Sequence, residues 1–407
     1  MSEPRANIPW IISVDDHVLE PPNVWVDRLP AEYRDRGPRV IRERGRATDG
    51  RGKVWQRDPE GQWADVWYYD DLVIPVTNAF AAAGTASTTT AEYTYSVTTY
   101  DELRQGAFLQ KERLADMDIG HTEVSACFPN VLTRFCGQTF LERDDKVLGL
   151  LAVKAYNDWV IDEWCGGDGK GRLIPITIVP LWDPQLAADE VRRCADKGSR
   201  AVSFPEKPSN LGLPTWYSRE WDPFFQACED TETTVCMHIG ASGLGVTTPD
   251  APDGAWQVLT FQYGMHSLID TIFSGLYVRF PTLKVMYSEG NVGWMPYVLE
   301  RMDKVWSQRA TDVTGVDLPQ PPSSFVHDRI YGCILDDDIG LASRQWIGMG
   351  QICYEVDFPH YASFWPAAEE VAQNLSDKAG LNDDEIYKFV RGNAIKAFRL
   401  EHFGITA

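Results

Sequence analysis

Acidic residues and histidines stand at the ends of several apolar segments of this sequence. One segment ends in the pair Asp15 and His17, and a later one ends in His238 just before a glycine-rich turn. Two further segments end in Glu289 and in Asp357. Imidazole nitrogens and carboxylate oxygens are ligands of borderline and hard divalent cations. These residue types therefore predict a metal site, provided that the fold brings the four segment ends together.

Each of these segment ends has a structural explanation when it is taken alone. Asp15 and His17 could form an ordinary surface turn, and a lone histidine such as His238 is more often a satisfied core residue. Alternation along a strand nevertheless puts Asp15 and His17 on one face and Asp16 on the other. Four segment ends with the same ligand types are hard to attribute to packing, so their combination favours one shared metal site.

Short apolar runs recur along the chain, and each is followed by a polar turn and then by a helical pattern. This order is typical of βα units around a parallel sheet. Eight runs match a (β/α)8 barrel, so we predict an α/β fold of the TIM barrel class, with the catalytic groups at the carboxyl ends of its strands. The predicted strands are Trp10–Val14, Glu123–Phe128, Leu173–Val179, Arg200–Phe204, Thr233–His238, Lys284–Ser288, Arg329–Ile334 and Gln351–Val356.

Helical patterns lie between these strands. The last of them opens at an Asn-Asp-Asp cluster, which can cap the first turn of a helix. The predicted helices are Tyr100–Met117, Asp145–Trp164, Pro184–Lys197, Trp221–Thr231, Tyr263–Gly275, Trp294–Ser307, Trp365–Asn374 and Asp383–Leu400.

One connection is far too long for an ordinary βα loop. It runs from about Pro21 to Tyr100, and we predict an insertion over the barrel mouth in an otherwise single domain of residues 1–407. Within it, Asp65–Val76 predicts a small sheet, and Thr85–Thr99 predicts a lid. A solvated decoration without a role is the alternative for the whole segment.

The composition excludes several classes of protein. An apolar share of 44%, with 15 Trp, 16 Tyr and 17 Phe, excludes a disordered or collagen-like chain. A formal net charge of −21, from 38 Lys and Arg against 59 Asp and Glu, argues against nucleic acid or an anionic membrane as a partner. Because no apolar run reaches the ~18 residues of a membrane span and the first residues lack a secretory signal, we expect a cytoplasmic protein. The eight cysteines show no CxxC spacing and are expected to be reduced core thiols.

Longer motifs carry a family resemblance over nearly the whole chain. Together with the strand ends, they resemble the amidohydrolase superfamily, in particular the amidohydrolase-related branch that contains aminocarboxymuconate semialdehyde decarboxylase. The motifs are Gly120–Asn130, Phe204–Pro223, Phe280–Asp303 and Gly392–Ala394.

The resemblance implies roles for individual residues. Asp15 and His17 match the metal-binding pair of the first strand, with Asp in place of the first His, and His238 matches the metal histidine of strand five. Asp357 matches the strand-eight aspartate that both contacts the metal and acts as a base. Glu289 stands where the family often has His, so it is predicted either to transfer a proton or to help hold a second metal.

The remaining histidines are weaker candidates. His266 is a further candidate ligand and His360 a further candidate catalytic residue, and a supporting or packing role is the alternative for both. We expect His121, His327 and His402 to be surface residues.

The resemblance and these residues together predict a metal-dependent hydrolase. Water activated by one or two divalent metals (iron, zinc or manganese) attacks the carbonyl carbon of an ester, thioester, amide or lactone, with a thioester to be tested first. Asp357 takes the proton of this water, and the protonated Asp357, His360 or Glu289 gives a proton to the leaving group. The alternative is metal-dependent, non-oxidative decarboxylation of an aromatic or muconate-type acid, although no rim arginine is evident to bind the acid. A metal-binding or scaffold protein without catalysis is a third possibility, from another class.

The substrate is expected to be a small molecule, and barrels of this branch are commonly dimers, so we predict a homodimer. Aromatic residues of the insertion either contact an apolar or bulky acyl group of the substrate or form the core of the insertion itself. They are Trp63, Trp67, Tyr68, Tyr69, Tyr93 and Tyr95.

Overall fold

In the residues that the structure describes, eight parallel strands follow one another around a barrel in the order of the sequence. The structure is a computed structural model, and it describes residues 8–49, 52–85, 95–243, 245, 247–308 and 315–406. The predicted TIM barrel is therefore confirmed. The barrel strands are β1 (Ile11–Val18), β6 (Thr122–Pro129), β7 (Leu173–Thr177), β8 (Ala201–Ser203), β9 (Thr234–His238), β10 (Val285–Ser288), β11 (Ile330–Ile334) and β12 (Ile352–Tyr354).

The two ends of the sheet meet where β1 lies beside the segment that follows β12. The backbone amide of Asp357 donates to the carbonyl of Asp15 at 3.0 Å, and the amide of His17 donates to the carbonyl of Phe358 at 2.7 Å. The buried Asp16 strengthens the contact between these two segments. Its carboxylate accepts hydrogen bonds from the backbone amide of Phe358 and from the hydroxyl of Ser13. Closure of the barrel thus brings the first and last predicted ligand segments together.

The helices lie between the strands. Two predicted helices begin too early. Residues 100–107 form short 3-10 turns, because Arg104 folds back to pair with Asp116 on the helix that begins only at Gln110. Pro366 lacks an amide donor and restricts the residue before it, so the helix predicted from Trp365 begins at Ala368. The α-helices are Gln110–Ile119, Gln138–Leu141, Lys146–Trp159, Pro184–Asp196, Asp222–Asp230, Asp253–Leu259, Gln262–Phe273, Leu276–Arg279, Met295–Ser307, Asp338–Ala342, Arg344–Ile347, Ala368–Ala379, Asp383–Tyr387 and Asn393–Phe398.

The last helical segment begins with the predicted cap. The side chain of Asn382 accepts from the amide of Glu385, and the Glu385 carboxylate accepts from the amide of Asn382, which makes a reciprocal capping box. The helix predicted as continuous widens into a π-helical stretch at Lys388–Gly392 before it resumes.

A second sheet occupies the long connection after β1. It is antiparallel and four-stranded in the order β3-β2-β4-β5, with β2 (Arg39–Ala47), β3 (Trp55–Arg57), β4 (Gln62–Tyr69) and β5 (Leu72–Pro75). The small sheet predicted at Asp65–Val76 is therefore found as part of a larger one. Most of the predicted lid, residues 86–94, lies outside the described residues.

The aromatic residues of this sheet mostly form its own core. Trp67 and Tyr69 are fully buried and pack against Trp25 and Phe140, whereas Trp63 is 53% exposed. These side chains do not line the cavity at the barrel mouth, so the interpretation as insertion core is the one that the geometry favours.

All eight cysteines are buried and form no disulfide bond, as expected for reduced thiols. Among the described residues, the structure contains no helix that combines the length and hydropathy needed to cross a bilayer.

Candidate metal centre

The carboxyl ends of β1, β9, β10 and β12 converge at one mouth of the barrel. They bring together Asp15, His17, His238 and Asp357, all of which are fully buried, and the partly exposed Glu289. Two of these acids have an unusual backbone conformation. Glu289 comes directly after β10 with φ of +51°, and Asp357 comes three residues after the end of β12 with φ of +54°. Non-glycine residues rarely adopt positive φ, and such strain is concentrated at functional sites. We call these five residues the rim group.

The two histidines of the rim group direct their Nε2 atoms at the same point. Nε2 of His17 lies 3.3 Å from Nε2 of His238. Nδ1 of His238 lies 2.6 Å from the carbonyl oxygen of Ile239, which can accept a hydrogen bond only if Nδ1 carries the proton. The lone pair of His238 is then on Nε2, which is the arrangement of a metal-binding histidine held by a backbone carbonyl.

Carboxylate oxygens surround this pair of nitrogens. Oδ2 of Asp15 lies 3.5 Å from Nε2 of His238, and Oδ1 of Asp357 lies 3.3 Å from Nε2 of His17. Oε2 of Glu289 is 3.2 Å from Nε2 of His238. Oxygen and nitrogen lone pairs that face one another at these distances are favourable only if a proton or a cation lies between them.

Asp357 also contacts His360, which was predicted as a catalytic residue. Nδ1 of His360 lies 2.8 Å from Oδ1 of Asp357, and its ring stacks on that of His17 at a centroid distance of 3.8 Å. On the other side of its ring, Nε2 of His360 lies 3.0 Å from the side-chain amide nitrogen Nδ2 of Asn130. His360 therefore supports Asp357 and His17 from the cavity side.

Burial shifts the titration of the rim group. Burial raises the pKa of Asp15 well above its ordinary value, and the negative charges of Glu355 and Asp357 raise it further. Burial also raises the pKa of Glu289 well above its ordinary value. It lowers the pKa of His238 to about 4, and it lowers that of His17 in the same direction, so both rings are neutral at physiological pH. Neutral imidazoles are the form that binds metal ions.

Asp357 titrates in the opposite direction from the other acids. Burial alone would raise its pKa, but the electrostatic attraction of His360 and the hydrogen bonds of His17 and His360 outweigh burial and hold the pKa below its ordinary value. Asp357 is therefore the carboxylate of the rim group that stays ionised most readily.

The structure leaves one predicted ligand outside the rim group. His266 is exposed on the helix Gln262–Phe273, and its Nδ1 lies 3.0 Å from the amine of Lys207. Its hydrogen-bonding contact is therefore with Lys207, and it is not among the described side chains that cluster as possible metal ligands. His327 and His402 are exposed, as expected for surface residues, and His121 stacks on Trp10 at the opposite end of β6 from the centre.

Sequence reasoning missed the residues that hold the rim group in place. Phe135 packs against the rings of His17 and His238, at centroid distances of 5.3 and 4.0 Å. Asn130 and Phe135 both lie in the loop after β6, whose residues are not close in sequence to any predicted ligand. Only long-range contacts connect this loop with the site. The motif Gly120–Asn130 ends at the first residue of the loop, but nothing in it indicated a contact with His360.

A buried carboxylate organises the same loop. The Glu20 side chain accepts hydrogen bonds from the amides of Asn130, Val131, Leu132 and Thr133, and from the hydroxyl of Thr133. Glu20 is fully buried, so these donors replace the water that its charge would otherwise require. Glu20 thereby fixes the loop that carries Asn130 to His360.

A cavity of about 550 Å³ opens beside the rim group. Its wall is mainly apolar and aromatic, and among the described residues that line it there is no lysine or arginine. The lining residues are Ala79, Phe80, Asn130, Phe135, Ile239, Gly240, Trp256, Gln257, Thr260, Phe261, Glu289, Asp336, His360 and Tyr361.

The donor set of the rim group fits a divalent cation. One ligand atom from each of Asp15, His17 and His238 lies within 4.8 Å of the others, and the same holds for His17, Asp357 and His360. Neither oxygen of Asp15 or Asp357 has a hydrogen-bond donor within the described chain apart from the histidine contacts given above. Two imidazoles with two or three carboxylates suit manganese, iron or zinc.

Comparisons with known proteins agree with the fold and with the resemblance. A family model described as amidohydrolase matches residues 90–400, which is more than half of the chain. The chain belongs to the amidohydrolase family. Several solved structures share the fold of this amidohydrolase at low sequence identity. An amidohydrolase from Mycobacterium avium subsp. paratuberculosis K-10 is 19% identical, with a TM-score of 0.69, and the match covers 97% of this chain and 100% of that one.

Two of the similar structures are decarboxylases. A dihydroxybenzoic acid decarboxylase from Polaromonas sp. JS666, with bound manganese and the inhibitor 2-nitroresorcinol, is 20% identical with a TM-score of 0.60, and the match covers 74% of this chain and 89% of that one. A 2,6-dihydroxybenzoate decarboxylase from Rhizobium is 19% identical with a TM-score of 0.57, covering 72% and 90% of the two chains. At these identities the likeness establishes the fold.

Proposed function

We propose that this amidohydrolase is a metal-dependent, non-oxidative decarboxylase of aromatic acids that carry an oxygen substituent beside the carboxyl group. The observation that carries the proposal is the combination of the rim group with an aromatic cavity whose described lining contains no lysine or arginine. A cation in the rim group would then be the positive charge that receives the substrate carboxylate.

The cavity suits a planar ring. Its volume of about 550 Å³ lies within the ~300–1,000 Å³ of small-molecule sites. Phe80, Phe135 and Phe261 supply flat apolar surface, and Tyr361 closes one side. Aromatic pairs gain from offset or edge-to-face contact, so these side chains can orient a benzene ring with its carboxylate towards the rim group.

The similar solved structures support this choice of reaction. Two of them act, by their descriptions, on dihydroxybenzoic acids, and one contains manganese. The rim group offers nitrogen and oxygen donors that suit manganese. A hydrolase, which the sequence first suggested, would use the same residues, but the comparisons favour decarboxylation.

Asp15, His17, His238 and Asp357 would hold the cation. When bound there, it would draw the substrate carboxylate and the neighbouring oxygen together and stabilise negative charge on that oxygen. His360 holds Asp357 through its Nδ1 contact of 2.8 Å.

Glu289 is the proposed proton donor. It is a carboxyl group of the cavity wall, its side chain is 26% exposed, and burial raises its pKa, so it can carry a proton to the substrate. The ring carbon that bears the carboxylate first gains this proton. The bond from that carbon to the carboxylate then breaks, its electron pair returns to the ring, and carbon dioxide leaves.

The test is a decarboxylation assay in heavy water. Protein stripped with a chelator and reloaded with manganese is incubated with 2,6-dihydroxybenzoate, and 3,5-dihydroxybenzoate serves as the matched acid without a neighbouring oxygen. We expect carbon dioxide release and one deuterium on the former carboxylate carbon, only with the first acid and only with metal. Phenyl and thiophenyl esters are assayed in parallel, and cleavage of these without carbon dioxide release from any acid would favour the hydrolase instead.

Glu289→Gln separates a proton donor from a metal ligand. As a donor, Glu289 should be required for turnover, so the variant should lose about 10²-fold or more in kcat while it retains its bound manganese. Asp336→Asn alters another acid of the cavity wall and should leave the rate near that of the unmodified protein. Loss of manganese from Glu289→Gln would reassign the residue as a ligand.

A further inference from the structure

A second group of metal-binding side chains lies below the rim group, deeper in the barrel. Asp15 on β1, Cys333 on β11 and Glu355 after β12 place one ligand atom each within 4.8 Å of one another. All three side chains are fully buried. Glu355 precedes Asp357 by two residues on the segment that follows β12, and both side chains are buried inside the barrel. We call Asp15, Cys333 and Glu355 the inner group.

Some lone pairs of the inner group are left without donors. Oε2 of Glu355 lies 2.5 Å from Sγ of Cys333 and accepts from the amide of Glu289 at 3.1 Å. Oε1 of Glu355 and both oxygens of Asp15 have no hydrogen-bond partner among the described residues. A buried carboxylate oxygen without a partner is costly, because it has lost water and gained nothing in exchange.

The charges of the rim group and the inner group also favour a second cation. Four carboxylates, Asp15, Glu289, Glu355 and Asp357, meet within this part of the barrel. Within the described chain, Asp15, Glu289 and Asp357 form ion pairs with histidines rather than with lysine or arginine, and Glu355 contacts a thiol and a backbone amide instead. A divalent cation in the rim group compensates two negative charges. The other two need protons or a second cation.

We propose that the inner group is a second cation site, in which Asp15 bridges to the rim group and Cys333 and Glu355 complete the ligands. A thiolate with two carboxylates favours zinc or cobalt over manganese, because sulfur is the softer donor. The site differs from the role predicted for Glu289, which lies on the rim, and it stands independently of the decarboxylation proposed above. Its occupation would fix Asp15, the residue shared by both groups.

The experiment uses cobalt as the probe, because a cobalt ion bound by a thiolate has a sulfur-to-metal charge-transfer absorption in the near ultraviolet. Full-length protein is stripped with a chelator under reducing conditions, titrated with Co²⁺ and freed of unbound metal. We expect about two cobalt equivalents per chain and a near-ultraviolet band that appears with one of them. The absorption reports sulfur ligation directly and requires no substrate.

Two cysteine variants form the matched comparison. Cys333→Ser should lose the band and fall to about one cobalt equivalent, whereas Cys353→Ser, a buried thiol paired with Cys333 in the strand register, should keep both. Glu355→Gln, whose rim group is intact, should also bind only about one equivalent, and its remaining cobalt shows that the barrel has folded. One equivalent without a thiolate band in the unmodified protein, or a band that persists in Cys333→Ser, would overturn the proposal.

Discussion

The rim group and the inner group use the same two segments of the barrel with different partners. On β1 the residues are Asp15 and His17, and after β12 they are Glu355 and Asp357, two residues apart in each case. At the rim, carboxylates meet imidazoles that are neutral and have free lone pairs. Below it, carboxylates meet each other and a thiol. The comparison teaches that two neighbouring segments can bring ligand-type side chains together at two depths of one barrel. The residue types at each depth decide which metal would suit it.

The largest effect is expected from a substitution that removes one ligand of the rim group and leaves the inner group unchanged. Asp357→Asn removes the carboxylate that stays ionised most readily and that contacts both His17 and His360. We expect kcat for the aromatic acid to fall by about 10²–10⁴-fold, the range for a positioned acid-base group. Steady-state carbon dioxide release measures the effect.

Two controls accompany Asp357→Asn. Circular dichroism should be unchanged, because an amide of the same size keeps the shape of the side chain. The cobalt band of the inner group should also survive. A variant that turns over at nearly the unmodified rate would contradict the role of the rim.

A second prediction concerns the loop that supports the rim. Glu20→Gln replaces a charged carboxylate that accepts five hydrogen bonds with a neutral amide. The NH2 group of that amide would face backbone amides and a hydroxyl that are themselves donors. We expect the free energy of unfolding to fall by about 2 kcal/mol, as for buried hydrogen bonds to a charged group. Urea denaturation measures this change, and KM should rise because Asn130 no longer holds His360.

Glu43→Gln is the matched control for Glu20→Gln. Glu43 accepts from Trp55 and Tyr68 in the antiparallel sheet and is not among the residues that line the cavity. It should change stability without changing KM. Equal KM values for the two variants would show that the Glu20 loop does not position the site.

The smallest effect is expected at His266. The structure places this residue beside Lys207 on an exposed helix face, outside both groups. His266→Ala should leave metal content and kcat within about twofold of the unmodified protein, as for surface substitutions away from a site. Loss of one metal equivalent in this variant would restore the role that the sequence suggested.

Strand alternation made much of the centre predictable. Asp15, His17, His238, Glu289 and Asp357 all stand at strand ends, and a parallel barrel collects its strand ends at one mouth. Because the strands are parallel and the barrel is closed, residues that follow a similar local pattern in distant segments meet at the same mouth of the barrel. The strand positions themselves were readable because each contains a short, mainly apolar run that is mostly buried.

Other parts of the site depend on contacts between distant residues. Glu20 and the loop after β6 are about 110 residues apart, and no local pattern of charge or hydropathy links them. Cys333 resembles any buried thiol in the sequence, and only the fold shows that it faces Glu355. The aromatic residues Trp67 and Tyr69 were ambiguous for the same reason, since a core and a binding wall have equal hydropathy.

The measurement that tests the central claim most directly is the metal content of the reloaded protein by plasma mass spectrometry, with His17→Ala beside the unmodified chain. The account predicts at least one tightly bound manganese or zinc ion per unmodified chain and one ion fewer in His17→Ala, because Nε2 of His17 faces His238 and Asp357 at 3.3 Å. An unmodified protein that retains no metal, or a His17→Ala protein that retains it fully, would contradict the rim group as the metal centre.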